Sequence, residues 1–209
     1  MSAPPPTRRP TTAVVINPNN PRLTAVSKAA DTGHSMTPSP FVIQWATSLA
    51  RVVPPPQRAL DVAMGRGRHA LPLARAGFKT FGVDVKLDAV RDAMARAATE
   101  GVCVRGWCAD LTQAPLPCER FELVVVARFL QRDLFGPIRR AVVPDGVVVY
   151  ETFTVSQRAL GTGPTSPDHL LGPGELRDRF EGFEVMFYEE VSAPEAVARI
   201  VARRPGDTE

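Results

Sequence analysis

The sequence predicts an α/β fold, a doubly wound parallel sheet closed by one antiparallel hairpin. Three observations predict it. From residue 59 to residue 153, short apolar runs alternate with amphipathic stretches. The run Leu123-Val124-Val125-Val126 is apolar on both faces, which suits a parallel strand covered by helices on either side. The last two apolar segments, 183–189 and 196–203, are joined only by residues 190–195. That connection is too short for a crossover, so the pair must be antiparallel.

The elements follow in order. Residues 1–36 are rich in Pro, Thr, Asn and Ala and lack periodicity, so a disordered tail is expected, with the domain occupying 37–209. Ser39-Pro40 reads as an N-cap followed by proline at the first helical position. Phe41, Trp45 and Leu49 then form one apolar stripe, and Pro54-Pro55-Pro56 ends the helix. A strand over 59–62 runs into a glycine-rich loop and a helix over 68–76, which Pro72 interrupts and Gly77 stops. A strand over 80–83, a helix over 87–100 with Gly101 after it, and a strand over 102–107 come next. Strand 121–127 leads to a helix over 133–141, the turn Pro144-Asp145-Gly146, and strand 147–153. A helix over 173–180 precedes the hairpin.

Composition narrows the function. Of 209 residues, 44% are hydrophobic and 22% charged, as in a globular domain. The net charge is +3, and Arg8, Arg9, Arg22 and Lys28 against Asp31 account for all of it, so the domain itself is balanced. No nucleic-acid partner is expected. Cys103, Cys108 and Cys118 form no C-x-x-C, which points away from a disulfide framework and a zinc site and towards a reducing, cytoplasmic setting. No apolar run approaches ~20 residues, so no membrane partner is expected.

The chemistry gathers at strand ends. The first strand runs out in Asp61-Val62-Ala63-Met64-Gly65-Arg66-Gly67. Small residues let the backbone turn sharply and approach a ligand, and the helix that follows offers unpaired N–H groups. Gly65-x-Gly67-x-x-Ala70 matches the dinucleotide fingerprint, but the carboxylate of Asp61 suits a ligand with a cationic end better than one bearing only phosphates. Asp84 ends the second strand, where a carboxylate can accept from both ribose hydroxyls, or cap the next helix in competition with Asp88. Asp110-Leu111 follows the third strand, where Asp110 is placed for an adenine amine or for its own turn.

This run resembles motif I of the class I S-adenosylmethionine-dependent methyltransferases, with Asp84 and Asp110 in the ribose and adenine positions. Pro144-Asp145-Gly146 is similar to the family's Pro-Gly-Gly turn, and the likeness spans 39–204. More narrowly, Gly174-Glu175-Leu176-Arg177, Phe183-Glu184-Val185 and Tyr188-Glu189-Glu190 resemble the tellurite-resistance-type branch. The resemblance implies a Rossmann-like, seven-stranded sheet ordered 3-2-1-4-5-7-6, with the last strand antiparallel. It implies S-adenosyl-L-methionine as cofactor, held by Asp61, Ala63, Gly65, Gly67, Asp84, Asp110, Leu111 and Ala127. Two departures stand out. Ala63 replaces the first glycine of motif I, which is tolerable if φ there is negative, and Met64 stands where a small residue is common. The tellurite branch also carries His and Arg between its last two strands, whereas Val191-Ser192-Ala193-Pro194-Glu195 has neither.

The implied reaction is an in-line methyl transfer to a small-molecule acceptor, with the protein supplying position and electrostatics. Acceptor contacts are expected from Trp45, Arg128, Arg132, Glu151 and His169, and from a lid over 152–169. His69 reads as a structural residue of the helix start, and no residue is assigned as catalytic. Two other readings use the same loop: a non-catalytic cofactor-binding module, and an NAD(P)-linked oxidoreductase. Against the second, Tyr150 is followed four places later by Thr154, not Lys.

Overall fold

Five parallel strands form from segments with buried apolar residues, flanked by residues that turn the chain, and helical crossovers join most of them. The computed structural model describes residues 36–52 and 56–206, with the backbone of Val14 and Val15. The strands are β1 (Arg58–Val62), β2 (Lys79–Asp84), β3 (Val104–Cys108), β4 (Phe121–Ala127), β5 (Val142–Phe153), β6 (Glu184–Val191) and β7 (Val197–Arg203). They are ordered 3-2-1-4-5-7-6, and β7 is antiparallel to both of its neighbours. Val14–Val15 adds a short antiparallel strand to the outer edge of β3. The rest of the expected tail, up to Ser35, and Pro54-Pro55 lie outside the described residues.

The helices are α1 (Pro40–Leu49), α2 (Ala70–Arg75), α3 (Leu87–Thr99), α4 (Phe135–Ala141) and α5 (Glu175–Asp178). Ser39 caps α1, its hydroxyl accepting from the Val42 N–H. Pro72 is the third residue of α2, where a backbone N–H has no helical acceptor to lose. Side chains alternate across the sheet with period two. Leu60, Val62, Val124, Val126, Tyr150 and Ile200 face α4 and α5. Ala59, Leu123, Val125, Val149 and Val201 face Phe41, Val42 and Leu49 of α1.

Three expectations change. Pro144-Asp145-Gly146 does not precede β5 but lies within it. The β4–β5 register passes from Phe121↔Val142 to Leu123↔Val147, so residues 143–146 bulge out of the ladder. Asp145 takes φ +61 there, and the bulge is stitched by Asp145 N–H to Arg204 O (3.0 Å) and Arg204 N–H to Gly146 O (2.8 Å). The helix expected over 173–180 shrinks to α5, because Gly174 (φ +73) and Gly182 (φ +82) turn the chain at both ends. The segment 152–169, expected as a lid, is anchored near its start and exposed over 158–163. Gln157 is buried, donates to Thr162 O (2.9 Å) and accepts from Ala196 N–H of the hairpin (2.7 Å), while Leu170 and Leu171 enter the core.

Candidate functional site

The carboxyl ends of β1 to β5 form one rim, where this architecture binds ligands. Its centre is the loop after β1. Gly65 and Gly67 take φ +53 and +80, a region that L side chains rarely adopt. A Cβ on Gly67 would lie 2.5 Å from Leu71 Cδ1 and 3.1 Å from Ala93 Cβ, so this glycine also permits the packing of α2 on α3. A Cβ on Gly65 would meet nothing within 4 Å, so its glycine leaves open space above the loop. Ala63 takes φ +54, so the condition under which alanine is tolerable there is not met; the missing family glycine leaves strain of about 1–2 kcal/mol. Met64 fits because β2 and β3 supply glycines beneath it. A Cβ on Gly82 would be 2.0 Å from Met64 Sδ, and one on Gly106 3.0 Å from Met64 Cε. That compensation was readable as two mid-strand glycines, and the sequence reading passed over it.

Asp61 is buried and accepts from the Ala70 N–H, while its Oδ2 has no partner among the described residues. Burial pushes its carboxyl up to about 7, with Asp84 adding repulsion against the pull of Ala70 and Arg68. Asp84, half-buried, accepts from Gly65 N–H through Oδ2 (2.8 Å) and from Lys86 N–H through Oδ1 (2.9 Å). It therefore fixes both the glycine loop and the approach to α3, whereas Asp88 points into solvent. Asp110 is exposed, and its Oδ1 accepts from the Thr112 N–H and hydroxyl, which holds its carboxyl below the ordinary range. The three acids sit on adjacent strand ends: Asp61 pairs with Gly82 two residues before Asp84, and Ala109 N–H donates to Asp84 O. Leu111 packs half-buried on the core, and Ala127 is buried at the end of β4.

The other half of the rim is a lattice of charge. Glu151, Arg199 and Glu189 are direct cross-strand partners on β5, β7 and β6. Arg199 donates to Glu151 Oε2 (2.6 Å) and to Glu189 Oε1 (2.8 Å). Glu151 is fully buried; its Oε1 lies 3.3 Å from Arg128 Nε, and Arg128 Nη2 bonds Glu195. Arg128 lies over the Phe153 ring at 4.6 Å and takes φ +59. His69 is buried, and its Nε2 accepts from Ser39 N–H (3.0 Å), tying the start of α1 to the loop; burial and the nearby Arg68 and Arg128 lower it to about 3. It is a neutral structural acceptor, as expected of a residue at the helix start.

The remaining expected acceptor residues are not gathered here. Trp45 packs half-buried against Phe187, with ring centroids 5.9 Å apart. Arg132 chelates Glu175 (2.7 and 2.9 Å) and donates to Leu170 O (3.0 Å), strapping the 154–171 segment to α5; that pairing holds Glu175 down at about 2. His169 is exposed in a single 3-10 turn. Sequence reasoning missed Arg68, Arg199, Glu189 and Glu195. The roles of Arg199 and Glu189 come from cross-strand register, and those of Arg68 and Glu195 from loops that the fold brings to Arg128, none of which a local motif announces.

Residues 59–146 match the model of a family described as a methyltransferase domain. Comparison with curated proteins gives no match. Among solved structures, the chain is similar to a SAM-dependent methyltransferase from Aquifex aeolicus, at 18% identity over 78% of this chain and 89% of the other, with a TM-score of 0.61. It is similar to TehB from Haemophilus influenzae at 16% identity over 77% of this chain and 62% of the other, with a TM-score of 0.63. It is also similar to the [4+2]-cyclase SpnF at 19% identity over 78% and 81%, with a TM-score of 0.64. At these identities the neighbours carry the fold and leave the acceptor open. Among the described residues, no helix is long and apolar enough to cross a membrane.

Proposed function

We propose that this chain is a class I S-adenosylmethionine-dependent methyltransferase and passes a methyl group to a small-molecule acceptor by in-line displacement. One observation carries the reading: a buried carboxylate oxygen, Asp61 Oδ2, with no partner, beside a glycine whose outer face is open. An uncompensated buried acceptor fits the ammonium of the cofactor's amino-acid arm. NAD(P) would place an anionic pyrophosphate at the same loop, beside a carboxylate that repels it.

The residues fit the cofactor as follows. Asp61 takes the ammonium, and the backbone from Ala63 to Gly67 wraps the arm. Asp84, with lone pairs left after Gly65 and Lys86, accepts from the ribose hydroxyls. Asp110 and Leu111 flank the adenine, with Ala127 closing the floor. When bound, the cofactor supplies a sulfonium methyl ready for displacement. The chain's own residues orient the two reactants and exclude water, which contributes roughly 7–11 kcal/mol in favourable cases. His69 is spoken for by Ser39 and is not available as a base on the acceptor.

A cytoplasmic setting and a non-nucleic-acid partner belong to the same proposal, supported by three unpaired cysteines and the balanced charge of the domain. Calorimetry with S-adenosylhomocysteine and with NADH tests the reading. Micromolar binding of the first and none of the second is expected; the reverse overturns it. A labelled-methyl screen over thiols, hydroxylated metabolites and carboxylic acids then tests turnover. Cofactor binding with no transfer to any of them leaves the non-catalytic reading.

A further inference from the structure

We propose that Arg128, with Arg68 beside it, forms a carboxylate-binding site on the β4–β5 half of the rim. The inference rests on the methyltransferase reading for its place in the reaction, and on unsatisfied groups for its chemistry.

Arg128 follows β4, next to the loop that ends β1, and its backbone adopts φ +59, which a non-glycine residue avoids unless the surroundings hold it there. They do hold it: its N–H donates to Glu151 O (2.8 Å), Nε faces Glu151 Oε1 (3.3 Å), Nη2 bonds Glu195, and the guanidinium lies over the Phe153 ring. Nη1 is the exception. It is buried and has no acceptor among the described residues. A charged donor shut away from water without an acceptor costs free energy that a ligand oxygen would recover. Arg68 is half-buried and near enough for Arg128 to press its pKa down after desolvation, the larger cause. Two guanidinium groups in mutual repulsion are a natural seat for a planar anion.

The surrounding charge selects which anion. Arg68, Arg128 and Arg199 stand against Asp61, Glu151, Glu189 and Glu195, all joined through the contacts and field interactions of this rim. With Asp61 keeping its proton up to about pH 7, three guanidiniums face three carboxylates, and a monoanionic carboxylate disturbs that balance less than a dianionic phosphate. Asp61 and Ala127 lie on the same face of the sheet, one step apart along neighbouring strands. This face thus presents two orphan acceptors, Asp61 Oδ2 and Glu151 Oε1, and one orphan donor, Arg128 Nη1. The carboxylate has two possible sources, the amino-acid arm of the cofactor or the acceptor molecule, and the experiment separates them.

Arg128→Gln and Arg68→Gln are prepared, with thermal melts confirming that each folds; the second keeps the test open if the first does not fold. Calorimetry uses S-adenosylhomocysteine, 5′-methylthioadenosine, which lacks the amino-acid arm, and benzoate added to the free protein and to the homocysteine complex. Ten-fold or greater loss of S-adenosylhomocysteine affinity with methylthioadenosine unchanged supports the site and assigns it to the cofactor. Unchanged S-adenosylhomocysteine affinity with benzoate binding in the wild type and its loss in the variants supports the site and assigns it to the acceptor. Unchanged affinities throughout, or no carboxylate effect in any form, overturn it. Failure of the wild type to bind either nucleoside overturns the methyltransferase reading instead, and benzoate on the free protein then judges the carboxylate site alone.

Discussion

The two halves of the rim are built on different principles. On β1 to β3 each acid is bonded to nearby backbone: Asp84 to Gly65 and Lys86, Asp110 to Thr112, Asp61 to Ala70. On β5, β7 and β6 the acids and arginines bond one another across strands, with Glu151 at the centre. The first half keeps valences in reserve for a ligand, whereas the second spends most of its own on holding the sheet together. A charged residue at a strand end is thus not by itself a sign of ligand binding; what separates the two cases is whether a partner already occupies it.

The comparison breaks most sharply at Glu151. Its replacement by Ala leaves Arg199 and Arg128 facing a dry gap, and the expected cost is about 3–5 kcal/mol in urea unfolding. A loss below about 1 kcal/mol would mean that the lattice does not act as a unit. Asp61→Asn should do the opposite in the ligand-free protein. The folded carboxyl keeps its proton up to about pH 7, while the unfolded one releases it near ~3.9, so the native state holds more protons in between. Stability of the wild type therefore falls as pH rises through that window, by ~1.4 kcal/mol per unit and up to about 4 in all. The Asn variant lacks that fall and should melt higher than wild type at pH 8, while losing S-adenosylhomocysteine binding. Equal melting temperatures at pH 8 would place the Asp61 charge in better company than its burial implies.

Asp84→Ala probes both functions of one carboxylate. Loss of its ribose contacts and of the Gly65 tether should weaken S-adenosylhomocysteine by roughly 2–4 kcal/mol, at a cost of about 1 kcal/mol in stability. A stability loss without an affinity loss would reduce Asp84 to a structural brace. The smallest effect is expected at Ala63→Gly, which relieves a left-handed alanine and should raise stability by up to about 1 kcal/mol. A fall in stability there would show that the alanine methyl packs usefully.

Legibility in the sequence follows the same division. The glycine loop, the acids that end β1 to β3 and the terminal hairpin are set by neighbours a few residues away, so spacing announces them. Phe121–Ala127 is marked end to end by its own apolar run. The bulge at 143–146 is not, because Pro144-Asp145-Gly146 spells a turn locally while Arg204, far along the chain, stitches it into a ladder. Arg132 reads as a loop cation facing ligand, yet Glu175, 43 positions later, claims it. Gln157 has no periodic context, and its burial depends on Ala196 of the hairpin.

The placement of β7 sets an order on the folding of the nascent chain. The strand translated last of the seven is an interior one, flanked by β5 and β6. Until Val197–Arg203 leaves the ribosome, β5 has an open edge and β6 has no partner in the sheet. Glu151 spends that interval without Arg199, a carboxylate awaiting its counterion. Cooperative closure is thus deferred until β7 has emerged, as the long sequence separation of its pairing with β5 requires.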